Sequence, residues 1–167
     1  MDGDSKVILL ADAMVLIDLG YLGAVGILTQ IGHAEVLDVV LEECRHPRQP
    51  TLIDDIVASG ISVVGSTDIW RVKSEEYRTP EISSQDCLNL FYAKEFGRML
   101  LTNETPLRNL CSQNNVAVHG TLWLIEQAHG LGLRHATELC GWLDILRQRD
   151  RRVPDDVVRR LKRKMGC

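Results

Sequence analysis

Short apolar runs alternate with stretches of helical periodicity along most of this chain. Residues 7–11 form an apolar run of strand length that ends at Asp12, and 14–19 then switch to helical spacing. Residues 21–31 are apolar with interspersed glycines and predict a buried helix. A very short strand is expected at 35–37, before Asp38 caps a helix carrying Val39, Val40, Glu42 and Glu43. Turn residues fill 45–50. Thr51 then caps a helix through Ser59, and Gly60 ends it ahead of a strand at 61–64. Residues 65–80 are polar and predict a loop, with a short strand at 69–72. Ser83 or Ser84 opens a helix with Leu88, Phe91, Tyr92 and Phe96 at helical spacing, and Gly97 stops it. Strands at 99–101 and 116–118 flank a short helix at 106–112, and Gly120 opens a helix with Leu122, Trp123, Ile125 and Ala128 on its apolar side. Two more helices are expected at 135–149 and 154–165, the second with Pro154 in its first turn and Asp155 and Asp156 placed to suit the helix dipole.

Strands separated by helices imply a mostly parallel sheet covered on both faces, because parallel strands need helical crossovers. The expected fold is therefore α/β, a three-layer sandwich with a mostly parallel central sheet plus C-terminal helices. The expected organisation is a core over residues 1–132 and a helical extension over 133–167 packed on the same domain. No internal repeat or low-complexity segment interrupts this order.

Composition narrows the class. A chain of 167 residues with 45% hydrophobic and 25% charged residues has the content of an ordinary globular domain. Its longest apolar runs are broken by Asp12 and Asp18, well short of the roughly 20 residues a membrane span requires. The start is acidic, with only Lys6 before the first apolar run, so no signal peptide is expected and the location is read as cytoplasmic. The five cysteines are scattered, with no CxxC pair, and read as reduced thiols that serve as small hydrophobes. Nine of the nineteen Lys and Arg residues lie between Arg147 and Lys164 against three acids, so the rest of the chain carries −10. A basic segment on an acidic body attracts nucleic acid, or is simply a solvated helix face.

The candidate chemistry lies in acids. Ligands of an open parallel sheet bind outside the carboxyl ends of its strands. Asp12 follows one strand directly, and Glu104 follows another through Thr102 and Asn103. Glu43 and Asp86 lie on helices from which either can point to the same edge. Converging carboxylates repel, and a hard cation such as Mg²⁺ relieves that repulsion. Each acid also has a plainer reading: Asp12 as a helix cap, Glu43 as a solvated helix acid with Glu42 competing, Asp86 as a complement to its helix dipole, Glu104 as loop surface. Arg108 and His119 are read as structural.

The segments VILLADAMVLIDLG, VLDVVLEEC and SSQDCLNLFYAKEFGRMLLTNETPLRNLC resemble the PIN-domain family through its first acid, its second acid on a helix, and its third acid, helix, strand and Thr-Asn-acid ending. The following VAVHGTLWLIEQAHGLGL is similar to prokaryotic PIN proteins related to toxin ribonucleases. The resemblance implies metal-dependent endoribonuclease activity on RNA, with Asp12, Glu43, Asp86 and Glu104 as the catalytic acids and the ligands of Mg²⁺ or Mn²⁺. It implies substrate binding through Thr102 and Asn103, whose other reading is capping of the strand end. It also implies an antitoxin-type protein partner and a homodimer. Two departures stand out: the fourth acid is Glu104 where the family more often has Asp, and Ala13 replaces a small polar residue. They leave open the alternative of a catalytically weakened RNA-binding or partner-binding module.

Overall fold

The structure is a computed structural model and describes residues 7–149 and 153–167. Its chain forms two compact units, one ending at Thr121 and the other spanning Leu122–Cys167.

The first unit is built on five parallel strands, β1 (Ile8–Ala11), β2 (His33–Leu37), β3 (Ser62–Val64), β4 (Met99–Leu101) and β5 (Val118–His119), in the order β3-β2-β1-β4-β5. β1 lies at the centre. Its Leu9, Leu10 and Ala11 are fully buried, as a strand covered on both faces requires, which explains why it reads as an unbroken apolar run. β1 pairs with β2 on one side and with β4 on the other, where Ala11 faces Leu101. Every step between consecutive strands passes through helices: α1 (Ala13–Tyr21) and α2 (Ile27–Ile31) lead to β2, and α3 (Asp38–Glu43) and α4 (Leu52–Ala58) to β3. α5 (Asp68–Ser74), a 3₁₀ turn (Glu75–Tyr77) and α6 (Ser84–Phe96) lead to β4, and α7 (Thr105–Gln113) to β5. The fold is thus the α/β sandwich that the alternation predicts.

Local signals set the helix ends. Asp12 caps α1 by accepting the Met14 N–H. Ser83 and Asp86 form a reciprocal capping box at the start of α6, and Gly97, left-handed at φ 71°, ends that helix. Four local expectations are corrected. Residues 69–72 are not a strand but the middle of α5: Thr67 caps it by accepting the Trp70 N–H, Asp68 suits its start, and Arg71 and Lys73 suit its end. The helix expected over 21–31 breaks at Gly23, which takes φ 64°, and resumes only as α2. The strand expected at 116–118 lies two residues later, as β5. Asp38 is the first residue of α3 and not its cap, and its carboxylate accepts the Ser66 N–H and hydroxyl, tying the end of β2 to the loop after β3.

α8 (Thr121–Gly130) begins at the last residue of the first unit, and α9 (Ala136–Arg149) and α10 (Asp155–Met165) complete the second. Leu139, Trp142, Leu143 and Leu146 of α9 and Val158, Leu161 and Met165 of α10 are buried. Lys162 pairs with Asp144 and Lys164 with Glu126. A disulfide joins Cys140 to Cys167, which corrects the expectation of five reduced thiols; Cys44, Cys87 and Cys111 are free and buried. Among the described residues no helix is long and apolar enough to cross a membrane.

Candidate active site

The chain leaves β1 toward β2 and β3 on one side and later returns to lay down β4 and β5 on the other, so the strand order reverses between β1 and β4. Ligands of open α/β sheets bind at such a point, beyond the carboxyl ends of the strands. Asp12 and Thr102 are the first residues past those two ends. The Asp12 N–H donates to the Leu101 carbonyl at 3.0 Å and the Thr102 N–H to the His119 carbonyl at 2.9 Å, which extends the sheet's hydrogen bonding into the site.

Asp12 is 6% exposed, and both its oxygens are engaged. Oδ1 accepts the Met14 N–H at 2.9 Å, and Oδ2 accepts the Thr102 hydroxyl at 2.6 Å. Burial pushes its pKa from 3.8 to about 6. The charges of Asp86 and Glu104 add to the rise, and the two hydrogen bonds oppose it. Thr102, itself fully buried, also accepts the Glu104 N–H at 3.2 Å. One hydroxyl therefore fixes both Asp12 and the backbone that presents Glu104 at the head of α7.

Glu43 is the last residue of α3. Although the residue as a whole is exposed, its carboxyl is partly enclosed: burial, then the charges of Asp12 and Asp86, raise its pKa. Glu42, the competing choice, is solvent-facing and pairs with Arg45. Asp86 is half-buried and spends Oδ2 on the Ser83 N–H of the capping box. The charges of Asp86 and Glu104 thus reach Asp12, and those of Asp12 and Asp86 reach Glu43.

Oxygen donors that repel one another suit a hard divalent cation. Among the described residues, however, no group of three or more His, Cys, Asp or Glu side chains is arranged to hold a metal ion.

The loop after β4 is braced from beneath. Asn103 donates through Nδ2 to Asp18 at 3.1 Å and to the Thr121 hydroxyl at 2.9 Å, and its Oδ1 accepts the Thr121 N–H at 2.9 Å. Arg108 donates to the Thr102 carbonyl at 3.2 Å, in keeping with its structural reading. Gly120 closes the same corner, since a Cβ there would collide with Asn103 Oδ1 and Arg108 Nη1. Asp18 and Thr121 are the residues that sequence reasoning missed. The one available signal was that Asp18 is the lone charge in the apolar helix AMVLIDLGY. A cysteine nucleophile is disfavoured here: burial pushes the Cys44 thiol up to about 12, with help from Glu43 and Asp12, and burial does the same to Cys111.

The sequence matches the PIN-domain family over residues 8–167. The chain belongs to that family, whose members are generally nucleases. Among solved structures it is similar to the crystal structure of PAE2754 from Pyrobaculum aerophilum, with a TM-score of 0.54 and 17% identity over 73% of this chain and 90% of that one, a likeness of fold. A comparison with curated proteins gives no match.

Proposed function

We propose that this protein is an endoribonuclease that uses Mg²⁺ or Mn²⁺ to hydrolyse RNA phosphodiester bonds. The observation that carries the reading is a buried carboxylate, Asp12, fixed at the point where the strand order reverses and raised in pKa by burial and by the acids beside it. Asp12 and Asp86 would hold the ion, with Glu43 and Glu104 completing the site through water or direct contact. A cation bound there would polarise the phosphate and lower the pKa of an attacking water. Asp12 keeps one orientation because the Met14 N–H and the Thr102 hydroxyl grip its two oxygens. Glu104, held by the same hydroxyl, orients the water. Thr102 and Asn103 serve the substrate through this loop, Thr102 by positioning Asp12 and Asn103 by bracing against Asp18 and Thr121. The exposed basic residues Arg159, Arg160 and Arg163 of α10 supply positive surface for a polyanion. An antitoxin-type protein and a second copy of the chain are the partners that accompany this reading, and exposed Ile69 and Val72 of α5 offer apolar surface for either.

The test is incubation with pooled RNA in Mg²⁺, Mn²⁺ or EDTA, followed by mapping of new ends. Cleavage should appear with metal, vanish in EDTA, and fall strongly in Asp12→Asn and Glu104→Gln. A catalytically weakened binding module is the second reading, favoured by Glu104 in a place more often held by Asp and by the lack of three grouped carboxylates among the described residues. In that case Glu104→Asp raises cleavage above wild type, or RNA binds without being cut under any metal.

A further inference from the structure

A cleft of about 270 Å³ opens between α3, α5 and the start of α6, walled by Val39 and Leu88 and edged by Arg71, Ser74, Glu75 and Gln85. Its place is specific. Val39 stands one turn before Glu43 on the same face of α3. Gln85 immediately precedes Asp86 in the first turn of α6. The cleft is therefore lined by a residue one helical turn from Glu43 and by the sequence neighbour of Asp86.

Its chemistry selects among occupants. The apolar walls of Val39 and Leu88 favour a flat or aliphatic body. The Gln85 amide offers a donor and an acceptor, and has no hydrogen-bond partner among the described residues. Arg71 donates to Asp68 and, at 3.0 Å, to the Ser66 hydroxyl, and these two partners hold its guanidinium at the edge of the cleft. An anion is disfavoured, because Glu75 edges the cleft. The volume falls just below the roughly 300–1,000 Å³ of pockets for drug-sized ligands, which suits one heterocycle. Proteins that read single-stranded RNA take unstacked bases in this manner, covering the ring with a guanidinium plane and hydrogen-bonding its edge.

We propose that this cleft receives one unstacked nucleobase of the RNA strand, next to the phosphate at the carboxylates, with Gln85 reading the base edge and Arg71 covering its face. This rests on the RNA-cleaving reading above. It makes the protein selective for the base at one position flanking the cut.

Two measurements test it. In EDTA, ¹⁵N-labelled protein is titrated with each of the four uncharged ribonucleosides. One or two of them should shift the Gln85 side-chain amide and the Val39 and Ser74 backbone signals, with affinity weakened several-fold, up to about tenfold, in Gln85→Ala, the worth of one hydrogen bond. With metal, cleavage of a randomised unstructured RNA should show a preference at one position beside the cut that flattens in Gln85→Ala and in the cleft-filling Val39→Phe. Shifts confined to residues outside the cleft, or an unchanged preference in a folded Gln85→Ala, would overturn the proposal and leave the nuclease reading intact. Nucleoside shifts in the cleft of a protein that cuts no RNA would instead sink the nuclease reading and retain the base site.

Discussion

Replacing Asp12 with Asn should change stability in opposite directions at low and high pH when metal is absent. The folded pKa of about 6 lies above the ordinary 3.8, so the folded protein holds a proton that the unfolded chain has already released between about pH 4 and 6. Stability therefore falls as pH rises through that window and stays low above it. A shift of about two units, at 1.36 kcal/mol each, gives a loss of about 3 kcal/mol. Asparagine does not titrate and escapes that loss. It keeps an acceptor for the Met14 N–H but turns the Thr102 hydroxyl from donor to acceptor, although that oxygen already accepts the Glu104 N–H, and this returns about 1 kcal/mol. In EDTA the variant should be about 1 kcal/mol less stable than wild type at pH 4 and about 2 kcal/mol more stable at pH 7.5. For a chain of this size the second figure corresponds to a melting temperature higher by roughly 4–8 °C. Adding Mg²⁺ or Mn²⁺ at pH 7.5 should raise wild type by mass action and move the variant little. Thermal melts followed by circular dichroism across pH 4–8 read both effects. A difference between the two proteins that is the same at both ends of the range would refute the assignment of a raised pKa to Asp12.

Gly120→Ala should destabilise the first unit by about 1–3 kcal/mol, measured by urea denaturation, because its methyl meets the Asn103 and Arg108 side chains in a corner already filled. Glu35→Ala should cost about 2 kcal/mol in the same assay: Glu35 accepts from Arg98 at 2.9 Å and from the Tyr92 hydroxyl at 2.9 Å, and its removal leaves half-buried Arg98 and buried Tyr92 without that partner. Alkylation of unfolded, unreduced protein should label Cys44, Cys87 and Cys111 and spare Cys140 and Cys167, with mass spectrometry before and after reduction as the check.

β1 and β4 were legible because each is short, apolar and largely buried, and such runs bounded by glycines and helical periods have few other readings. The α6 helix was legible for the same local reason, a serine cap at one end and Gly97 at the other. α5 was not. Its Ile69, Trp70 and Val72 carry strand propensity, but Trp70 packs against Tyr92 and Phe96 at centroid distances of 5.4 Å, and that tertiary contact together with the Thr67 cap overrides propensity. At the site, Asp12 and Glu104 could be read from their places after strands. The plainer readings of Asp12 and Asp86 as helix-end residues proved compatible with the chemical one, since both carboxylates cap and carry charge into the site at once. The bracing of Asn103 by Asp18 and Thr121 spans 85 and 18 positions in sequence, and the disulfide spans 27, so neither leaves a local trace.

All four candidate acids sit at helix ends: Asp12 and Glu104 at the caps of α1 and α7, Asp86 in the first turn of α6, and Glu43 as the last residue of α3. Helix ends are where a helix frays first, and the hydrogen bonds of Asp12 and the capping box at Asp86 hold two of these ends. An ion held by two of them would join separate chain segments and quiet their fraying together. Occupancy of the ion site and order in the turns that hold the ion would in that sense be one equilibrium, and a change that loosens such a turn would be felt as a weaker hold on the ion.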